Sequence, residues 1–230
     1  MKRINLVLFF FVLSLFSFSQ TVDMTARRFL DQIFDYSNNK EFLAAQYTDI
    51  KGSPYFSEKW LKGKVFLNDQ VWFDNLQIKF DQYNNSFIVN WHDTAFQISS
   101  VVKQIILYPG SDTSNRLVFK NGYAINEKIS TKIYLEVLAE GKMSFLKYPK
   151  KEIDDYTEYG DATKYKRFEE VYRYFIFVNG DFKEVTLTKK NLQDVLPDKW
   201  TQVSEYLAKY KVNLKAQEGW KLVIGYYNSL

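Results

Sequence analysis

A chain of 230 residues with 18% aromatic side chains is long enough to bury one substantial core without cross-links. It has no cysteine and one histidine, which excludes a disulfide framework and leaves no nitrogen and sulfur ligand set for zinc. Lys and Arg number 31 against 27 Asp and Glu, a balance that argues against a nucleic-acid binder, whose surface needs a concentrated basic field.

The first residues read as a leader. Lys2 and Arg3 form a basic start, Ile4 to Phe16 is almost wholly apolar, and Ser17-Phe18-Ser19 puts small residues where a signal peptidase reads. The expected division is a signal peptide over 1–19 and a single domain over 20–230. The apolar run stops short of the roughly 20 residues a spanning helix needs, so no direct membrane insertion is expected after cleavage. Cleavage takes the basic count from 31 to 29 against 27 acids, a net charge of about +2. Residues 20–50 are ambiguous and partly helical, with Phe29, Ile33 and Tyr36 able to share a helix face.

Residues 52–188 read as β-rich. After Gly52-Ser53-Pro54, Lys64 to Leu67 leads to a turn at Asn68-Asp69. Trp72, Leu76, Ile78 and Phe80 then share one parity, with Asp74 marking a bulge or an edge. Further strands are predicted over 87–91, 95–99, 101–108, 117–119, 129–138 and 143–148. Turn residues separate them, among them His92-Asp93, Pro109-Gly110 and Glu140-Gly141. Lys150 to Arg167, charged and tyrosine-rich around Gly160, reads as a long surface loop. Beyond it Tyr172 to Val178 and Phe182 to Leu187 flank Asn179-Gly180, a strong hairpin signal.

Residues 189–230 read as helical. Thr188 precedes a turn carrying Leu192, Val195 and Leu196, which Pro197 stops. Asp198 is the expected N-cap of a helix lined by Val203, Tyr206, Leu207 and Tyr210. A last helix places Trp220, Val223, Ile224 and Tyr227 on one face. The expected fold class is therefore α+β, a mainly antiparallel β meander closing into a sandwich or barrel-like form, with C-terminal amphipathic helices covering it.

Catalytic signals are sparse. His92 stands alone in a polar turn, no Gly-x-Ser-x-Gly elbow would serve it, and neither standard phosphate loop occurs. Asp154, Asp155, Glu158 and Asp161 could gather round calcium, but their spacing is not that of an EF-hand loop and Lys150, Lys151 and Lys164 neutralise them. No catalytic residue, metal or cofactor is assigned. Abundant aromatics favour contact: Tyr156, Tyr159 and Tyr165, in a stretch too charged to bury deeply, are the candidate binding residues.

Two stretches carry a resemblance. One is Gly52-Ser53-Pro54-Tyr55-Phe56 with Trp60 and Lys62-Gly63-Lys64-Val65-Phe66-Leu67; the other is Leu196-Pro197-Asp198-Lys199 with the ending Tyr226-Tyr227-Asn228-Ser229-Leu230. Together they resemble a family of uncharacterised secreted proteins common in Bacteroidota. The resemblance implies an exported protein of the bacterial envelope, with the periplasm as its expected address, and brings no catalytic residue. The expected function is a non-catalytic protein-interaction module on an envelope partner, for example as accessory or plug subunit of an outer-membrane channel. The alternative is a glycan-binding module or weak glycoside hydrolase. A flat row of exposed aromatics would favour sugar, and a compact patch with a polar rim would favour protein.

Overall fold

The computed structural model describes residues 47–67, 71–91, 93–98, 101–123, 130–160 and 162–230. The short strands come first: β1 (Ile50–Lys51), β2 (Leu61–Phe66), β3 (Trp72–Asp81), β4 (Ser86–Trp91), β5 (Thr94–Gln97), β6 (Gln104–Tyr108), β7 (Leu117–Lys120) and β8 (Leu135–Ala139). Two long strands, β9 (Met143–Thr157) and β10 (Lys164–Val178), and the shorter β11 (Asp181–Val185) follow. The chain ends in α1 (Lys189–Val195), a 3-10 turn (Pro197–Lys199), α2 (Trp200–Tyr210) and α3 (Gln217–Ser229). The fold is α+β and mainly antiparallel, with helices at the C-terminal end. Among the described residues only β1 pairs parallel, against β10.

One sheet runs in the order β1, β10, β9, β8, β7, β6, β2, β3, β4, β5, and β11 also pairs β10. Because β9 occupies one edge of β10 along its whole length, β1 and β11 share the other. The sheet curls steeply. Phe80 on β3 and Phe119 on β7 lie 4.9 Å apart although β2 and β6 separate their strands, and Phe87 on β4 meets Tyr134, just before β8, at 5.0 Å. The inner face of this curl holds Val65, Ile78, Phe80, Phe87, Ile105, Leu107 and Phe119, with Ile98 and Val102 packed among them. Asn85 ties the curl shut. Its amide donates to the Tyr134 carbonyl at 3.0 Å and accepts from the Tyr134 N–H at 2.7 Å, as a strand partner would.

The second core lies between β8 to β11 and the helices. Leu192, Leu196, Val203, Trp220, Val223 and Ile224 have no exposed surface there, and the Trp220 ring sits 5.6 Å from Phe145. The Trp220 indole donates to the Leu214 carbonyl at 3.1 Å, so its one polar atom is satisfied. Asn228 clamps the end of α3 to the β8–β9 turn, donating to the Met143 carbonyl at 2.8 Å and accepting from its N–H at 2.9 Å. A smaller cluster of Leu135, Leu146, Tyr148 and Phe175 covers the opposite face of the sheet.

Several expectations need correction. The bulge expected at Asp74 is present, with Asp74 and Asn75 together opposite Lys64 and Asn75 at a φ of 56°, but it changes the place of Trp72. This bulge reverses the side-chain alternation, so Leu76, Ile78 and Phe80 point inward while Trp72 is 52% exposed. The presumed loop over 150–167 is mostly strand: β9 and β10 stay paired from Met143 with Val178 to Thr157 with Lys164. The strand expected over 129–138 starts at Leu135. Thr188 caps α1 by accepting from the Asn191 N–H. Asp198, by contrast, sits in the 3-10 turn, α2 starts at Trp200 without a side-chain cap, and the Asp198 carboxylate accepts from the Tyr227 hydroxyl at 3.5 Å. At the Asn179-Gly180 hairpin both φ values are positive, 51° and 86°, as a type I′ turn requires.

Candidate functional site

The three tyrosines expected to bind gather at the far end of the β9–β10 hairpin. Tyr156 and Tyr165 are register partners on one face, with ring centroids 5.7 Å apart. The Arg167 guanidinium lies 5.2 Å and the Lys51 ammonium 5.5 Å from the Tyr156 ring. Both cations reach it because β1 pairs Lys51 with Arg167. Tyr165 is 37% exposed and Tyr159, in the turn, is fully exposed. Asp154 pairs with Arg167 at 3.5 Å and Glu158 with Lys51 at 3.9 Å. The result is a small aromatic patch inside a mixed-charge rim.

Of the four suspected calcium ligands, the three among the described residues, Asp154, Asp155 and Glu158, form no metal-binding group. Asp154 and Asp155 are neighbours on a strand and so point to opposite faces, and Asp154 and Glu158 are engaged by cations. Asp161 and His92 lie outside the described residues. No group of His, Cys, Asp or Glu side chains able to hold a metal occurs among the described residues.

The hairpin is held to the body through its other face. Phe168 packs edge-on against Tyr47 and Tyr83 at 5.4 and 5.7 Å. Lys151 donates to the carbonyls of Ser53 and Tyr55 at 2.9 and 2.7 Å. Next to it Asp81 is completely buried and accepts from the Asn84 backbone and amide at 2.9 and 2.8 Å. Burial nevertheless raises its carboxyl above the ordinary aspartate range, and burial, with Asp81 beside it, pushes the Tyr55 hydroxyl up to about 12. The Gly52-Ser53-Pro54-Tyr55-Phe56 stretch thus works as a brace: Phe56 donates to the Phe80 carbonyl and Gln82 to the Pro54 carbonyl, both at 2.9 Å.

A second candidate surface escaped the sequence reading. On the outer face of β2, β3 and β6 lies an open groove of about 860 Å³, walled on one side by residues 109–116. Lys59, Lys62, Lys64 and Arg116 line it, against one acid, Asp74, with Trp60, Tyr108, Asn75, Ser111 and Thr113 between them. Asp74 is spoken for. It meets Lys64 at 2.7 Å, which holds its carboxyl below the ordinary range and the Lys64 ammonium above its own. Beneath, the strands approach so closely at Gly63 that a Cβ would fall 2.6 Å from the Ile106 carbonyl oxygen. The wall is braced by Asp112, which accepts from the Ser114 N–H at 2.8 Å and its hydroxyl at 2.7 Å. Lys62 and Lys64, two apart on a strand, were the readable signal. Tyr108 arrives through its pairing with Lys62 about 50 residues along the chain, and Arg116 through the loop that follows β6. A smaller hollow of about 510 Å³ opens beside Phe66, Lys103, Lys120, Tyr123 and Phe177.

Compared with family models, curated proteins and solved structures, the chain shows no match.

Proposed function

We propose that this protein is a non-catalytic binding module of the bacterial cell envelope, exported by its leader, that docks on another envelope protein through the outer face of the β9–β10 hairpin. An outer-membrane channel complex is the proposed setting, and the periplasm the proposed address. The observation that carries the reading is the patch itself: the Tyr156 and Tyr165 rings paired across the strands and rimmed by Lys51, Arg167, Asp154 and Glu158, with Tyr159 fully exposed in the adjoining turn. Tyrosines flanked by arginine are the side chains that dominate protein interfaces. They stand on and beside a continuously paired ladder, so docking orders little new chain.

The test is to change Tyr156, Tyr159 and Tyr165 together to Ser and recover the tagged protein from native envelopes in mild detergent. A stoichiometric partner is expected with the parent protein and should be lost with the variant. The melting temperature should barely move, since a cross-strand aromatic pair contributes only about 0.2–1 kcal/mol. Retention of the partner by a folded triple variant sinks the proposal, as does an enzymatic turnover abolished by changing a single carboxylate. The alternative expectation, a glycan-binding module, draws on the groove that holds Trp60 and Tyr108.

A further inference from the structure

We infer that the groove on the outer face of β2, β3 and β6 is a binding site for an acidic oligosaccharide. Charge is the first argument. Among the described residues Lys59, Lys62 and Arg116 form no ion pair, while the one lining acid, Asp74, is committed to Lys64. A further cation, Lys79, stands 5.2 Å from the Trp60 ring. The mature chain as a whole is nearly neutral, so this excess is local, and a concave wall focuses it onto whatever enters.

Shape and chemistry narrow the anion. A volume of about 860 Å³ lies in the range of pockets that take ligands of several rings and greatly exceeds one phosphate. Trp60 and Tyr108 line the groove and supply the aromatic surface on which the apolar side of a sugar rests, and Asn75, Ser111 and Thr113 offer donors and acceptors for hydroxyls. The frame is set before any ligand arrives. The bulge fixes Asn75 in a left-handed conformation, and Asp112 braces the facing loop. Carboxylate or sulfate groups would meet Lys62 and Arg116 while the rings stack.

Calorimetric titration of the mature protein with a short oligogalacturonate and a heparin-derived oligosaccharide tests this. The controls are the fully methyl-esterified oligogalacturonate and polyglutamate. At least one acidic sugar is expected to bind, more weakly as salt rises, and to outcompete both the neutral ester and the sugar-free polyanion. Changing Lys62 and Arg116 together to Ala should weaken binding about tenfold or more. Trp60→Ala or Tyr108→Ala, whichever keeps the parent melting temperature, should weaken it as well. The Tyr156, Tyr159 and Tyr165 triple variant should bind the sugar unchanged, which separates this site from the protein-docking surface. Failure of both acidic sugars to bind overturns the inference. Polyglutamate or an oligonucleotide binding as tightly, with neither aromatic substitution having any effect, overturns it too, because charge alone would then account for the groove.

Discussion

Gly219 lies in the first turn of α3, where a Cβ would collide with the Asn213 carbonyl oxygen. Backbone cannot yield as a flexible side chain does, so Gly219→Ala should destabilise the protein by about 1–3 kcal/mol. Gly225, in the same helix, has open space around it. There the Ala substitution should stabilise by about 0.5–1 kcal/mol, as expected in an exposed helix interior. Thermal melts of the two variants check the pair, and equal shifts would show that the contact is not a constraint. Asp81 makes a second case at this scale. Because the fold raises its carboxyl above the unfolded value, the native state holds the proton more tightly and ionisation costs stability. That cost is absent below about 3.9, develops between there and the raised value, and stays constant above it. Asp81→Asn keeps an oxygen for one of the two Asn84 donors, a loss that is the same at every pH, and it cannot ionise. Its melting temperature relative to the parent should therefore become more favourable from about pH 3 to about pH 7. The opposite trend would show that the ionised carboxylate is net stabilised, with Lys151 outweighing burial.

Among the elements, the helices illustrate what period alone can reveal. Trp220, Val223, Ile224 and Tyr227 recur at helical spacing, and three of the four are fully buried against the sheet. Truncation after Lys190 removes these and Val203. Each fully buried side chain contributes roughly 1.5–3 kcal/mol, while a whole domain has only about 5–15 kcal/mol in hand. The truncated chain should be insoluble, or soluble without a cooperative melt; a sharp melt would make the helices an appendage. The outer half of the β9–β10 hairpin was hidden for the converse reason. Residues 150–167 are mostly charged residues and tyrosines, and a ribbon that is polar on both faces has no apolar alternation to betray it. Its strands are held by Arg167, Lys51 and Lys151, contacts made across the sheet and with a loop about 100 residues earlier. The bulge legible at Asp74 falls at Asp74 and Asn75, and the one added residue reverses every side chain before it, which takes Trp72 out of the inward set that its parity with Leu76 suggested. The groove was the least legible feature, since its lining comes from segments as distant as Lys59 and Arg116.

At the scale of the molecule, the sheet is continuous but not uniform. The ladder between β7 and β8 pairs only Phe119 with Glu136 and Lys120 with Leu135, and this narrow joint separates the curled half from the half that carries the helices. What reinforces it is mostly side chain: the Asn85 amide on Tyr134, the Tyr134 ring on Phe87, and Lys151 on the Ser53 and Tyr55 carbonyls. With these ties intact the two halves should unfold as one unit. Tryptophans report on each half separately, Trp91 beside the first core and Trp220 inside the second. In variants that retain only Trp91 or only Trp220 of the five tryptophans, the fluorescence transitions should coincide. Asn85→Gly then isolates the joint. Asn85 has a φ of 50°, which glycine adopts freely, so the substitution removes the amide bonds to Tyr134 without straining the turn. Losing two partly buried hydrogen bonds costs about 1–3 kcal/mol, and the cost falls on the contact that couples the halves. The Trp91 transition should therefore move to lower temperature than the Trp220 transition. If both shift together by the same amount, coupling resides in the two-residue ladder and the packed rings, and the Asn85 clamp is only one stabilising contact among many.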